Sequence, residues 1–159
     1  MALEMTAAPV VIFFSGMLHA SITDLKHRKI ANWTMLTLMG LWLPMALMLD
    51  LSGEAMLGAA SAAVLVFFGG FICFCFGIVG GGDVKLAAVA VLWLGAPLTP
   101  AYLMLSAIFG ALIALIFIAI ARVKQRRGVP IQTNAKMLPY GPGLASAAVV
   151  LFGQSQWFT

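Results

Sequence analysis

Between residues 55 and 79 the chain carries no charged side chain, and no other property limits its possible folds as strongly. A run of about 20 apolar residues is enough for an α-helix to cross the hydrocarbon of a bilayer. Further apolar runs cover residues 7–22, 33–49 and 101–121, and two shorter or interrupted ones cover 84–97 and 138–158. The last two reach membrane length only if Lys85 extends its amine to the interface and the 139–143 stretch is partly inserted. Backbone polar groups in lipid must be satisfied within the protein, and nothing alternates with the two-residue period of a membrane barrel, so the runs predict helices. The expected fold is all-α: a polytopic membrane protein with one domain over residues 1–159, built as a bundle of about six transmembrane helices. A composition of 63% hydrophobic and 9% charged residues excludes a water-soluble domain of this size.

Charge gives the orientation. Lys26, Arg28 and Lys29 lie between the first two runs, Lys85 follows the turn between the third and fourth, and Arg122, Lys124, Arg126, Arg127 and Lys136 lie between the fifth and sixth. With six spans all nine basic residues share one side, which the positive-inside rule makes the cytoplasm. The net charge of +4 therefore reads as a topology signal, and no nucleic-acid partner is expected. Glu4, Asp50 and Glu54 fall on the opposite side, and both termini are expected outside. Residues 1–6 hold Glu4 and no Lys or Arg, so the first run reads as a retained span rather than a cleaved signal.

Local signals fill in the bundle. Pro44 is expected to kink the second helix, Asn32 to cap its free amides, and Pro97 and Pro100 to mark the turn before the fifth. Gly16 with Ala20, and Gly58 with Ala62, have the spacing that lets helices approach closely. Cys73 and Cys75 stand two apart in an apolar run, on different faces, and read as small apolar filling rather than a redox or metal pair. The 122–136 stretch is the longest polar segment and the expected mobile element.

Under this topology Asp24 and Asp83 are the only acids at the cytoplasmic edge. Asp24 closes the first run just before the basic patch, and Asp83 follows Gly80, Gly81 and Gly82 at the end of the third. A carboxylate beside lipid is costly to keep, which makes it a candidate for function. Two such groups can hydrolyse a peptide bond without a covalent intermediate: one, ionised, takes a proton from water while the other, protonated, polarises the scissile carbonyl. The glycines would let a substrate strand come close and let the turn adopt positive φ. Each aspartate taken singly also fits a structural role, Asp24 as a helix-end partner of Lys26 or Arg28, Asp83 as the cap of the fourth helix. Lys85 either biases the pair or extends to the interface. A metal centre lacks ligands, with His27 in the basic patch and His19 reading as a polar residue at a helix interface, so neither metal nor cofactor is expected. A Ser-His-Asp arrangement and a phosphate loop are also missing.

Three segments together resemble the type IV prepilin peptidases, the GxGD aspartic peptidases. Gly80-Gly81-Gly82-Asp83, with Lys85 and Leu86, matches their GxGD signature. The segment from Asp24 and Leu25 to Asn32 resembles their first-aspartate motif, and Pro139-Tyr140-Gly141-Pro142 resembles the segment that opens their last span. The resemblance implies an intramembrane-type aspartic endopeptidase of the bacterial cytoplasmic membrane, with its active site at the cytoplasmic face. Asp24 and Asp83 would be its catalytic pair, with Gly80, Gly81, Gly82, Lys85, Pro139, Tyr140 and Gly141 in supporting positions. Its partners would be the lipid bilayer and a prepilin, a transmembrane helix preceded by a basic leader that is removed after a glycine. The chain lacks the paired CxxC motifs of the larger bifunctional members and so resembles the small subgroup without the N-terminal methyltransferase-associated region, which serves Flp pili of the Tad type. Ala31 stands where many relatives have a proline. Two other classes fit a small helical membrane protein: a transporter, which would place acids along a path rather than at one edge, and a non-catalytic subunit of a pilus or secretion assembly.

Overall fold

The computed structural model describes residues 7–126 and 140–158. They form six α-helices and no strand: α1 (Ala7–His27), α2 (Asn32–Met48), α3 (Gly53–Cys75), α4 (Gly81–Leu94), α5 (Thr99–Arg126) and α6 (Gly141–Phe152), with a 3-10 turn at Ala96–Leu98 before α5. The chain is an all-α membrane protein. Helix α1, helix α3 and the 96–123 stretch are long and apolar enough to cross a membrane, whereas α2, α4 and α6 are shorter.

For α4 and α6 the reason for the short length lies in where they sit. Every residue of α4 from Leu86 to Leu94 is buried, so it is a post within the protein, apolar on all sides. Helices α2, α3 and α6 pack around it, while α1 packs on α2 and α6, and α5 on α6. Fourteen residues make a helix of about 21 Å, short of a hydrocarbon layer of about 30 Å. The other helices meet the lipid in its place. Helix α6 likewise buries Gly141, Gly143, Ala145, Ala147, Ala148, Leu151 and Phe152.

Helix ends explain where the apolar runs and the helices part company. The third run stays apolar to residue 79, but α3 stops at Cys75: Gly77 takes φ 71° and the N–H groups of Gly77 and Ile78 return to the carbonyls of Phe74 and Cys73 at 2.8 and 3.0 Å, a Schellman stop. Asp50, with φ 51°, ends α2 in the same way, the amide of Leu51 reaching the Ala46 carbonyl at 2.9 Å. Helix α5 continues to Arg126 and takes Arg122 and Lys124 into the helix instead of a loop; the rest of the expected mobile stretch lies outside the described residues. Helix α2 runs on through Pro44. Asn32 does not cap it, because Ala31 holds the N-cap position with no side-chain bond and the Asn32 amide is engaged elsewhere.

At the end of α4 away from Asp83, aromatic side chains tie the bundle. Phe13 stacks on Phe152 at 4.3 Å and lies 5.7 Å from Trp93. The Trp93 indole donates to the Leu38 carbonyl at 3.0 Å, and Trp157 and Gln156 donate to the carbonyls of Trp93 and Leu92 at 2.7 and 3.1 Å. This anchors α4 at one end against α1, α2 and the segment after α6. The close approach expected at Gly16 is present: a Cβ there would lie 2.7 Å from Leu38. Gly58 makes only ordinary contact, with Ala96 at 3.6 Å.

Candidate functional site: two carboxylates at the junction of two cavities

Asp24 lies in the last turn of α1 and is only 6% exposed. Its Oδ2 accepts the backbone N–H of Gly141 at 2.9 Å. Gly141 opens α6, whose N-cap residue Tyr140 supplies no side-chain bond. The free amides of a helix start attract an anion, and here the anion comes from another helix. The contact also fixes why position 141 is glycine. A Cβ there would stand 2.7 Å from Asp24 Oδ2 and 2.9 Å from Asp24 Cβ. Arg28, where the chain turns with φ 54° and its N–H bonds the Asp24 carbonyl at 2.9 Å, also acts on the carboxylate through its charge.

Asp83 lies in the first turn of α4, three residues after the N-cap Gly80. Its carboxylate accepts the Gly80 N–H, the return bond of a capping box. A Cβ on Gly80 would come within 2.8 Å of Asp83 Oδ2. The positive φ expected of the glycine run is not found. Gly80 is extended, at φ −76° and ψ 142°, and the left-handed glycine is Gly77. Space, rather than backbone freedom, is what Gly80 needs, whereas a Cβ on Gly81 or Gly82 would make only ordinary contact, 3.4 Å from Phe74 or Ile30.

Both acids open on one polar cavity of about 470 Å³, lined also by Gly80, Gly81, Gly82, Lys85 and Tyr140. They are close enough for the charge of Asp24 to act on Asp83. Asp83 and Tyr140 also line a second, apolar cavity of about 720 Å³ among α3, α4, α5 and α6. Ile78 and Val79 are shared as well, so the two cavities meet at the chain entering α4.

The structure brings together Asp24, Asp83, the three glycines, Tyr140 and Gly141; Pro139 lies outside the described residues. Lys85 does line the polar cavity, but its amine donates to Asn32 Oδ1 at 3.1 Å and so ties α4 to α2. Arg28, Lys29 and Asn32, read in the sequence as topology signals and a cap, line the same cavity. Their nearness to Asp24 in the chain was the available signal. The Tyr102 hydroxyl, fully buried and without a hydrogen-bond partner among the described residues, had no sequence signal at all, although the charge of Asp83 reaches it. His19 is the interface residue expected, its Nδ1 2.8 Å from the Thr34 hydroxyl and its ring 4.7 Å from Trp33. Among the described residues no group of three or more His, Cys, Asp or Glu side chains is placed to hold a metal ion.

A curated protein of Bacillus subtilis (strain 168), the prepilin leader peptidase/N-methyltransferase, is 28% identical over 151 residues, covering 92% of this chain. That alignment takes in 56% of the relative, so the chain spans little more than half of its length. No solved structure gives a significant match. A sequence model of the type IV leader peptidase family matches residues 11–115, a stretch that contains both aspartates, and the chain belongs to that family.

Proposed function

We propose that this protein is an aspartic endopeptidase that removes the basic leader of prepilins, with Asp24 and Asp83 as its catalytic pair. The observation that supports the reading best is that two acids from helices distant in sequence open on the same polar cavity, where the charge of Asp24 acts on Asp83. Two carboxylates so arranged do not both ionise readily, so they share a proton and titrate as a unit. The ionised member takes a proton from a water molecule, whose oxygen adds to the scissile carbonyl carbon. The protonated member hydrogen-bonds the carbonyl oxygen. As the tetrahedral species collapses, the C–N bond breaks and the departing nitrogen takes a proton from the pair, which returns to its starting state.

Each carboxylate is held in place by a backbone amide, Asp24 by Gly141 and Asp83 by Gly80. One oxygen atom of each is thereby anchored while the other remains for water or carbonyl. Gly80, Gly81, Gly82 and Tyr140 would form walls against which the substrate backbone lies, and Lys85 would hold α4 against α2. The reaction is proposed for the cytoplasmic face of the bacterial inner membrane, where the basic residues would lie. Its substrates would be Flp-type prepilins of Tad pili, cut after a glycine.

The purified protein, incubated with Flp-type prepilins, is expected to release a product whose new N-terminus follows a glycine, at the same rate with and without a chelator. A cut that a chelator abolishes, or intact prepilin after prolonged incubation, would contradict the proposal.

A further inference from the structure

We infer that the apolar cavity between α3 and α5 seats the membrane-embedded helix of the substrate, with the first turn of that helix at Asp83. The inference rests on the peptidase reading above and adds where the substrate lies and in which direction it runs.

The cavity is a gap between helices that flank the site without packing extensively on each other: α3 packs on α4, and α5 on α6. Its α3 wall is formed by Ala62, Leu65, Gly69 and Cys73, and its α5 wall by Leu103 and Ser106. Leu65 is 73% exposed and Gly69 has no atom within 4 Å of the position a Cβ would take. A helix about 10 Å across fills roughly 420 Å³ per turn of 5.4 Å, so about 720 Å³ receives more than one turn. Glycine and alanine on the walls let its backbone approach closely.

The alternative occupant is a lipid acyl chain. Such a chain would press hydrocarbon against the Asp83 carboxylate, which is costly because it offers no hydrogen bond. A peptide helix entering with its N-terminus toward Asp83 brings free first-turn N–H groups and the positive end of its dipole to the carboxylates. Its preceding, non-helical segment then continues past Ile78, Val79 and Tyr140 into the polar cavity. The peptide bond between helix and leader thus arrives where the cavities join. A substrate running the other way would place carbonyl oxygens against carboxylates.

The test uses the full-length protein in lipid vesicles and a synthetic peptide with a basic leader, a glycine and an apolar helix of about 20 residues. A photo-crosslinking amino acid at Leu65 is expected to label the peptide, and one at Leu115, an exposed α5 residue outside both cavities, is not. Equal labelling from both positions, or labelling of lipid alone from Leu65, would overturn the inference. A Gly69→Phe variant, whose Cβ would meet no atom within 4 Å and whose ring would stand at the cavity wall, is expected to raise KM for the peptide at least tenfold with kcat nearly unchanged. Unaltered KM in the folded variant would also overturn it. Cleavage of the same peptide by the unaltered protein is measured alongside. Labelling at Leu65 without cleavage would fail the peptidase reading and leave the seat standing, whereas cleavage with labelling elsewhere would fail the seat alone.

Discussion

Asp24 on α1 and Gly141 at the start of α6 are joined by a hydrogen bond of 2.9 Å, and a Cβ at 141 would overlap the very side chain that its amide holds. The carboxylate satisfies an amide that a helix start leaves free. The missing side chain at 141 is what admits the carboxylate to that place. In this way a helix near the end of the chain sets the position of an acid near its beginning.

Gly141→Ala tests that relationship. Its Cβ would fall 2.7 to 3.0 Å from three atoms of Asp24, one of them the Asp24 Cβ itself, so rotating the carboxylate away does not relieve the contact. Leader cleavage is expected to fall by about 100-fold, the scale of a displacement near 1 Å at a reacting group, as measured by initial rates on purified protein. Near-normal rates would mean that Asp24 does not depend on this seat.

Ala31→Pro is expected to stabilise the protein. Ala31 has φ −67° and ψ 125°, which suits a proline ring, and its N–H donates no hydrogen bond among the described residues. The gain should be about 0.4–1 kcal/mol, arising mainly from a less variable unfolded chain, and is read from thermal denaturation in detergent. A loss of stability would show that the turn from Arg28 to Asn32 is more constrained than its dihedral angles indicate.

Tyr102→Phe removes a buried hydroxyl that has no partner among the described residues. Such a group loses its hydration without recovering a bond, at a cost of about 1–3 kcal/mol, so the variant should be as stable as the parent or more stable in the same assay. Marked destabilisation would reveal a partner for the hydroxyl in the membrane.

Activity against pH should be bell-shaped. Below the lower limb both carboxylates are protonated and no base remains to activate water; above the upper limb both are ionised and none is left to polarise the carbonyl. If the two carboxylates act as the proposed pair, sharing one proton, Asp83→Asn should remove the activity at every pH rather than one limb of the profile. A profile that rises to a plateau in alkali would contradict a shared proton.

The helices were legible because lipid demands long apolar runs, and those of α1, α2 and α5 fall close to where the sequence places them. The helix ends were less so. Hydropathy does not register the left-handed turns at Gly77 and Asp50, which end α3 and α2 by backbone hydrogen bonding. Length was misleading for α4, whose burial on all sides removes the need to span the hydrocarbon by itself. Asp24 and Asp83 stood out as costly charges, but the partners that hold them are backbone amides, and an amide leaves no trace in residue type except the glycine that makes room for it. Asn32 shows the reverse case. A residue type suited to capping was turned instead to Lys85, 53 positions away, a pairing that only the packing of α2 on α4 creates.

The most direct test of the account is to replace Asp24 and Asp83, one at a time, by asparagine and follow prepilin processing in cells that lack the unaltered protein. Both variants should accumulate in the membrane to normal levels while the prepilin keeps its leader entirely. Complete leader removal by both would contradict the account, since an amide at either position neither ionises nor transfers a proton in the range where a carboxyl does.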